Sequence, residues 1–492
     1  MSIKLNKKNL EQIESKGHKI PKYDNTSISA GIVHFGVGNF HRAHQAVYLN
    51  RLFNKGLDKN WGIVGAGVMP YDEKMREALE NQDYLFSVVE QSANDNNFEV
   101  VGSIIDYLSV NDKLAIIEKL SQENIKIVSL TITEGGYFID YSTGLFDDKN
   151  PSIIEDAKSL ENPKTVFGLI LAALKRRKEN NIEPFTVMSC DNIPHNGVVT
   201  KNTLVGLANM IDNNFADWIK QNVAFPNGMV DRITPATTQR ERDSIVNNFQ
   251  VSDEVPVFCE DFIQWVLEDN FPLGRPALEK VGVEFVEDVT PYENMKIRIL
   301  NGGHAVIAYI SGLLDIDLSY EAMRDPLVLE YLRKVEKDEI IPNVPAVPNT
   351  NIAQYYKKIE ERFSNPKIED SIRRLCLDGT NRQPKFIIPT IADCIKNNID
   401  FKGLALESAL WCRYCYGTTE SGATIEANDP NWDELHDIAL KAKDNPTLWL
   451  DMKSIYGEIG MNSKFRDYFT KSLTALHTKG VRAVVQEYIA GK

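Results

Sequence analysis

The chain has 492 residues, of which 43% are hydrophobic, 25% charged and 9% aromatic; this excludes a disordered, collagen-like or coiled-coil protein and is too long for one ordinary core. The 55 Lys and Arg against 69 Asp and Glu leave a formal charge of −14, which opposes binding to nucleic acid or to an anionic membrane surface. No run approaches the roughly 20 apolar residues of a membrane span, Met1 to Lys8 lacks the apolar core of a signal peptide, and six cysteines are too few and scattered for a disulfide framework, so a reduced, cytoplasmic protein is expected.

From 31 to 286, short β-rich runs alternate with amphipathic stretches. Strands are predicted at 31–35, 61–66, 98–105, 125–133, 185–189 and 281–286. Such alternation predicts a parallel sheet covered on both faces. After Asp288 helical periodicity takes over, at 292–314, 326–341, 352–363 and 404–416. Two domains follow, an α/β domain over 1–287 and a mainly helical domain over 288–492, packed together with the ligand in a cleft between them. Cys412 and Cys415 form a C-x-x-C in the last of these helical stretches, with no second pair at zinc-site spacing, and read as core packing.

The first strand runs into Gly36-Val37-Gly38-Asn39-Phe40-His41-Arg42 and then a helix-compatible stretch. A strand, tight glycine turn and helix in that order bring backbone N–H groups to a pyrophosphate. Gly36, Val37, Gly38, Asn39, Phe40 and Arg42 are the candidate cradle, although His41 stands where a third glycine is usual. Past the next strand, Asp72 can accept hydrogen bonds from a ribose and favours NAD over NADP; its plain alternative is a cap for the helix beginning near Glu73. Glu134, at the end of the 125–133 run, either faces the cofactor or belongs to a simple turn.

Asn192 follows the 185–189 strand and is a candidate polar contact. Asp231 and Arg232 lie in an apolar run, which calls for either a buried ion pair or a ligand. The segment 292–304 is the most informative. Taking Lys296 as zero at about 100° per residue, Glu293 falls near about 60°, His304 near about 80° and Asn301 near about 140°, all on one face of an otherwise apolar helix. Gly302-Gly303 disfavours an ordinary helix there and permits close backbone approach. Oxidation of an alcohol needs a base for the hydroxyl proton and donors for the developing carbonyl oxygen. A desolvated Lys296 can be that base, Asn192 and Asn301 the donors, and Glu293 the proton's exit, with no metal required. Arg374 and Arg382, in a third basic cluster, suit a hydroxyl-rich substrate or else a solvated helix end.

The motifs GIVHFGVGNFHRAH (31–44), VSLTITEGGY (128–137), TVMSCDNIPHNG (186–197), MVDRITP (229–235), QWVLEDN (264–270) and MKIRILNGGH (295–304) together resemble the polyol-specific long-chain dehydrogenases, the mannitol dehydrogenase family. The resemblance spans nearly the whole chain. It implies a Rossmann-type N-terminal domain, a mainly α-helical C-terminal domain, and metal-independent oxidation of D-mannitol to D-fructose with NAD. It gives Lys296 the role of base, Asn192 and Asn301 the reacting oxygen, Glu293 the proton exit, and Asp231, His304, Arg374 and Arg382 the substrate. The expected partner is a small polyol or ketose, and the expected state a monomer. Two departures stand out: close relatives carry lysine at the position of Arg382 and an acid where this chain has Tyr71. Fructuronate and tagaturonate reductases share most of these motifs and remain the alternative, as do arabinitol and sorbitol dehydrogenases.

Overall fold

The computed structural model describes residues 2–140 and 145–491, in two compact units, Met1–Thr290 and Pro291–Lys492. In the first, five strands form one all-parallel sheet: β1 (Ala30–Phe35), β2 (Gly62–Ala66), β3 (Ile104–Leu108), β4 (Ile127–Leu130) and β5 (Thr186–Ser189), in the spatial order β5-β4-β1-β2-β3. Alternation along each strand decides which face a side chain covers. Val33, Val64, Val128 and Val187 enter the core built with helices Lys113–Leu120, Val166–Glu179 and Asn196–Ile211, while Ile32, Ile63, Ile127 and Met188 enter the core built with helix Gln45–Asn54. Both faces are covered, which is why these short runs read as almost unbroken Val and Ile.

Strand order reverses between β1 and β4, and open parallel sheets take their ligands outside the carboxyl ends at such a reversal. The exits of β1, β4 and β5 carry the glycine turn, Glu134 and Asn192 respectively.

Two predicted strands are reassigned. The run 98–105 breaks at Gly102-Ser103, where Asn50 Oδ1 accepts the Gly102 N–H at 3.2 Å and Ser103 Oγ donates to the Ala46 carbonyl at 2.7 Å. Ahead of the break Asn96–Val101 pairs antiparallel with Phe86–Gln91, in a separate sheet with Val257–Glu260; only the residues after it reach β3. The 281–286 run is not in the parallel sheet either: Glu284–Val286 pairs with Gln264–Glu268, which pairs in turn with Gly228–Asp231.

The second unit is helical. Helices Gly302–Leu313 and Lys402–Cys415 are buried around nearly their whole circumference, as central helices are. Cys412 and Cys415 lie in the second of these, buried with free thiols. Among the described residues, no cluster of three His, Cys, Asp or Glu side chains is placed to hold a metal, and no helix is long and apolar enough to cross a membrane.

Candidate active site

Gly36 has φ +89°, and a Cβ there would lie 2.0 Å from the Thr131 carbonyl oxygen, so glycine alone brings β1 and β4 together at the reversal. At Gly38 a Cβ would meet nothing nearer than 3.9 Å; the space beside this residue is open to a ligand's backbone-close approach. Side chains of the turn are committed inward. Asn39 Nδ2 donates to the Pro235 carbonyl at 3.1 Å and to Thr237 Oγ1 at 3.0 Å, and buried Arg42 donates to Asn39 Oδ1 at 2.7 Å and to the Val255 carbonyl. Val37 is buried, and the Phe40 ring stacks on His44 at 4.9 Å. Outward, the turn offers mainly backbone, which fits a dinucleotide's pyrophosphate.

His41 fills the place of the third glycine by lying flat on His34, with ring centroids 3.4 Å apart. His34 in turn bonds Ser129 Oγ at 2.7 Å and Thr131 Oγ1 at 2.9 Å, and Thr131 Oγ1 donates to the Gly36 carbonyl at 2.6 Å. Burial keeps both rings neutral, pushing His34 down to about 3 and His41 well below its ordinary value. This support under the turn was not anticipated from sequence; the unbroken HFGVGNFH spacing was its only sign.

Asp72 opens helix Asp72–Glu80, and its Oδ2 accepts the N–H groups of Val68 at 2.8 Å and Met69 at 2.9 Å. It therefore braces the turn leaving β2 rather than capping the helix behind it. Glu134 is exposed, at the start of a 3-10 turn, Glu134–Tyr137, just past β4.

Asn192, also exposed, follows an acid that sequence reasoning passed over. Asp191 accepts the N–H groups of Ile132 at 2.9 Å and Thr133 at 3.0 Å and the Tyr137 hydroxyl at 2.7 Å. Burial nonetheless pushes its carboxyl up to about 6. Thr133 has φ +62° and ψ 165°, a region nearly reserved for glycine and costing a β-branched residue about 1–3 kcal/mol.

Asp231 ends the strand Gly228–Asp231 and is buried. Its neighbour Arg232 resolves as an ion pair: the guanidinium donates to Glu90 at 2.6 Å and to the carbonyls of Ala43 and Glu260. Arg232 is thereby a structural residue.

In the second unit, Glu293 and Lys296 are both buried, 6% exposed each. Glu293 belongs to helix Thr290–Met295, but Lys296–Asn301 is π-helical, and helix Gly302–Leu313 continues from it. This changes the predicted face. An i→i+5 turn stacks Asn301 one turn above Lys296, where uniform α-geometry had rotated it well aside. Asn301 Oδ1 and His304 Nε2 are buried polar atoms with no hydrogen-bond partner among the described residues. Arg298, within the same turn, is committed elsewhere, to Asp393 at 2.7 Å. Gly302-Gly303 does not interrupt the helix, because tertiary burial outweighs glycine's low propensity. Gly303 instead makes room: a Cβ there would lie 2.8 Å from Glu336 Oε1 and 3.4 Å from Phe363.

The His304 ring stacks on Phe363 at 4.1 Å. Burial, reinforced by Arg374, Arg362 and Arg382, holds it neutral. Arg374, in helix Ile372–Leu375, grips Asp370 through Nε and Nη2, and Arg382, in helix Gly379–Phe386, donates to the carbonyls of Arg374 and Leu375 at 3.0 Å. Lys296, Asn301, His304, Arg374 and Arg382 thus all belong to one unit. The candidate cradle, Asp72, Glu134, Asn192 and Asp231 belong to the other.

A parallel sheet with a glycine turn at its strand reversal, followed by a helical unit bearing a buried lysine, defines a Rossmann-type dehydrogenase of the two-unit kind. Comparison with known proteins narrows the class. Residues 30–280 match the mannitol dehydrogenase Rossmann domain and residues 288–477 the mannitol dehydrogenase C-terminal domain. The mannitol 2-dehydrogenase of Cereibacter sphaeroides is 54% identical over 471 residues, 96% of this chain and 98% of that protein. The structure is similar to that of Pseudomonas fluorescens mannitol 2-dehydrogenase in ternary complex with NAD and D-mannitol, with TM-score 0.90, 41% identity and full coverage of both chains. It is also similar to a D-sorbitol dehydrogenase in substrate-free form, with TM-score 0.90 and 34% identity over 98% of this chain and 100% of that one. The chain belongs to the mannitol dehydrogenase family.

Proposed function

We propose that this protein interconverts D-mannitol and D-fructose with NAD, using a lysine amine rather than a metal ion at the reacting oxygen. The observation that carries the reading is the helix 290–313, where a π-turn stacks Asn301 over a buried Lys296 and leaves polar atoms of Asn301 and His304 for a ligand to satisfy. Lys296 takes the proton of the substrate hydroxyl. Asn301 and Asn192 hold the same oxygen through their amide N–H groups as it becomes a carbonyl. Glu293 passes the proton outward from Lys296. His304, Arg374, Arg382 and Asp231 hold the remaining hydroxyls. When bound, NAD supplies the hydride acceptor; Gly36, Val37, Gly38, Asn39, Phe40 and Arg42 form its cradle, with Asp72 on the ribose and Glu134 at its edge.

Arg374 already meets a carboxylate, Asp370, through two donors, which favours a neutral polyol over a hexuronate bearing its own carboxylate. Initial rates of NADH oxidation with D-fructose and with D-fructuronate, each repeated with NADPH, and of NAD reduction with D-mannitol and D-sorbitol, test this. The expected result is the highest kcat/KM with D-fructose and NADH, mirrored by D-mannitol. Preference for fructuronate would hand Arg374 and Arg382 to a substrate carboxylate, and preference for sorbitol would move the protein to a different polyol.

A further inference from the structure

Thr133 presents an anomaly that its own side chain does not explain. It is exposed, yet its backbone takes the shape that glycine alone adopts freely. Such a conformation persists only where its surroundings over-determine it; here the Thr133 carbonyl accepts the Gly136 N–H at 3.0 Å within the following turn, and the side-chain partner of its own N–H is one carboxylate. Asp191 Oδ1 accepts the Thr133 N–H at 3.0 Å, while Oδ2 accepts the Ile132 N–H at 2.9 Å and the Tyr137 hydroxyl at 2.7 Å, so both oxygens close on the same loop from two sides.

Asp191 is itself fixed. Its N–H donates to Ser189 Oγ at 3.2 Å, and its carbonyl accepts from Asn196 Nδ2 at 3.2 Å. Asn196 is anchored in turn on Gly228, donating to its carbonyl at 2.8 Å and accepting its N–H at 2.9 Å. Tyr137 closes the circuit by sharing a hydrogen bond with Ser189 Oγ at 2.6 Å. The two strand exits joined in this way lead directly to Glu134, one residue past Thr133, and Asn192, one residue past Asp191.

We infer that Asp191 is a positioning residue: it holds Thr133 in its strained shape and so fixes the β4 and β5 exits, with Glu134 and Asn192 on them, in the arrangement that receives cofactor and substrate. The readout through NADH rests on the dehydrogenase reading above; the strain-and-clamp relation does not.

If the carboxylate serves to hold a shape that threonine resists, glycine at 133 should make it dispensable. Asp191→Asn, Thr133→Gly and the double variant, each in the full chain, would be compared with the unaltered protein for NADH affinity by fluorescence, kcat/KM with D-fructose, and thermal midpoint. Asp191→Asn removes a charged acceptor shared by the Ile132 and Thr133 N–H groups and the Tyr137 hydroxyl, and is expected to lower NADH affinity or kcat/KM by about tenfold or more. Thr133→Gly should stay within about threefold of the unaltered protein and raise its midpoint, and the double variant should recover to within about threefold of Thr133→Gly. A double variant as impaired as Asp191→Asn overturns the inference, as does an Asp191→Asn protein that is unimpaired.

Should Asp191→Asn fail to fold, Thr133→Gly alone decides: a raised midpoint supports the clamp and a lowered one overturns it. Should the unaltered protein bind no NADH, the dehydrogenase reading falls while the midpoints still judge the clamp, through a smaller Asp191→Asn penalty in the Thr133→Gly background.

Discussion

Two regions, the polar core of the Rossmann-type unit and the stretch around Gly303 in the helical unit, bury some of their charged and polar groups in different ways. In the Rossmann-type unit, Arg232 donates to two backbone carbonyls as well as to Glu90, Arg177 donates to the carbonyls of Leu120, Gln122, Ile125 and Glu183, and Asp253 accepts from Gln82, Ser87 and Val255. Each stitches distant segments together by meeting backbone groups that would otherwise be buried unpaired. In the helical unit, Asn301 Oδ1, His304 Nε2 and both carboxyl oxygens of Glu336 have no hydrogen-bond partner among the described residues. Unmet buried polar groups cost stability, and a ligand that paired with Asn301 and His304, as proposed above, would offset that cost.

This contrast predicts a double dissociation. Lys296→Ala should lower kcat/KM by about a hundred- to ten-thousandfold while NADH affinity and the melting temperature stay near those of the unaltered protein. Arg232→Ala should do the reverse, destabilising the fold by about 2–4 kcal/mol in denaturant titrations, because the Ala43 and Glu260 carbonyls lose their buried donor and Glu90 keeps only Arg51. If both substitutions act on stability alone, the comparison fails.

Gly36→Ala should combine the two effects at a smaller scale: a Cβ against the Thr131 carbonyl is expected to weaken NADH binding by about a hundredfold, or ~3 kcal/mol, with a modest fall in melting temperature.

The smallest effect concerns acidity. Burial pushes Glu339 up to about 7 even though it accepts from Gly403, Leu404 and Tyr488, and pushes Glu407 up to about 8 with one donor, Gln383. In the unfolded chain such acids ionise near 4.5. Between those values these two acids bind more protons in the folded state than in the unfolded one, so their contribution to stability falls as pH rises from about 4.5 to 8, against the opposite contribution of the buried histidines below about 6.5. Glu407→Gln, which stays neutral, should flatten the upper part of this slope, raising the melting temperature at pH 9 more than at pH 5. An unchanged slope would remove Glu407 from the account.

Local pattern carried most of the architecture. The β1 run and its glycine turn were legible because strand, φ-positive glycine and helix are fixed by neighbouring residues. The order β5-β4-β1-β2-β3 was not, since which strands pair depends on contacts far apart in sequence. Run 98–105 looked like one strand because both halves are apolar; the bonds from Asn50 and Ala46 that split it come from another element. Glu293, Lys296, Asn301 and His304 were read as one helical face, but a uniform 3.6-residue repeat cannot register a π-turn, so Asn301 was rotated too far. Thr133 was invisible for the opposite reason. Its conformation contradicts its own residue type, and the cause sits at Asp191, 58 residues away.

The π-turn at Lys296–Asn301 also bears on what kind of change the proposed site tolerates. Such a turn holds one residue more than the α-turns around it, so the angle between Lys296 and everything after Asn301 is set by a count rather than by identities. Substitutions within 297–300 would leave that count intact. Deleting a single one of these residues would restore a plain α-helix and swing His304 about 100° around the axis relative to Lys296, while every side chain of the site remained present. A survey of length variants would therefore separate working from silent copies of this helix more sharply than a survey of substitutions within 297–300.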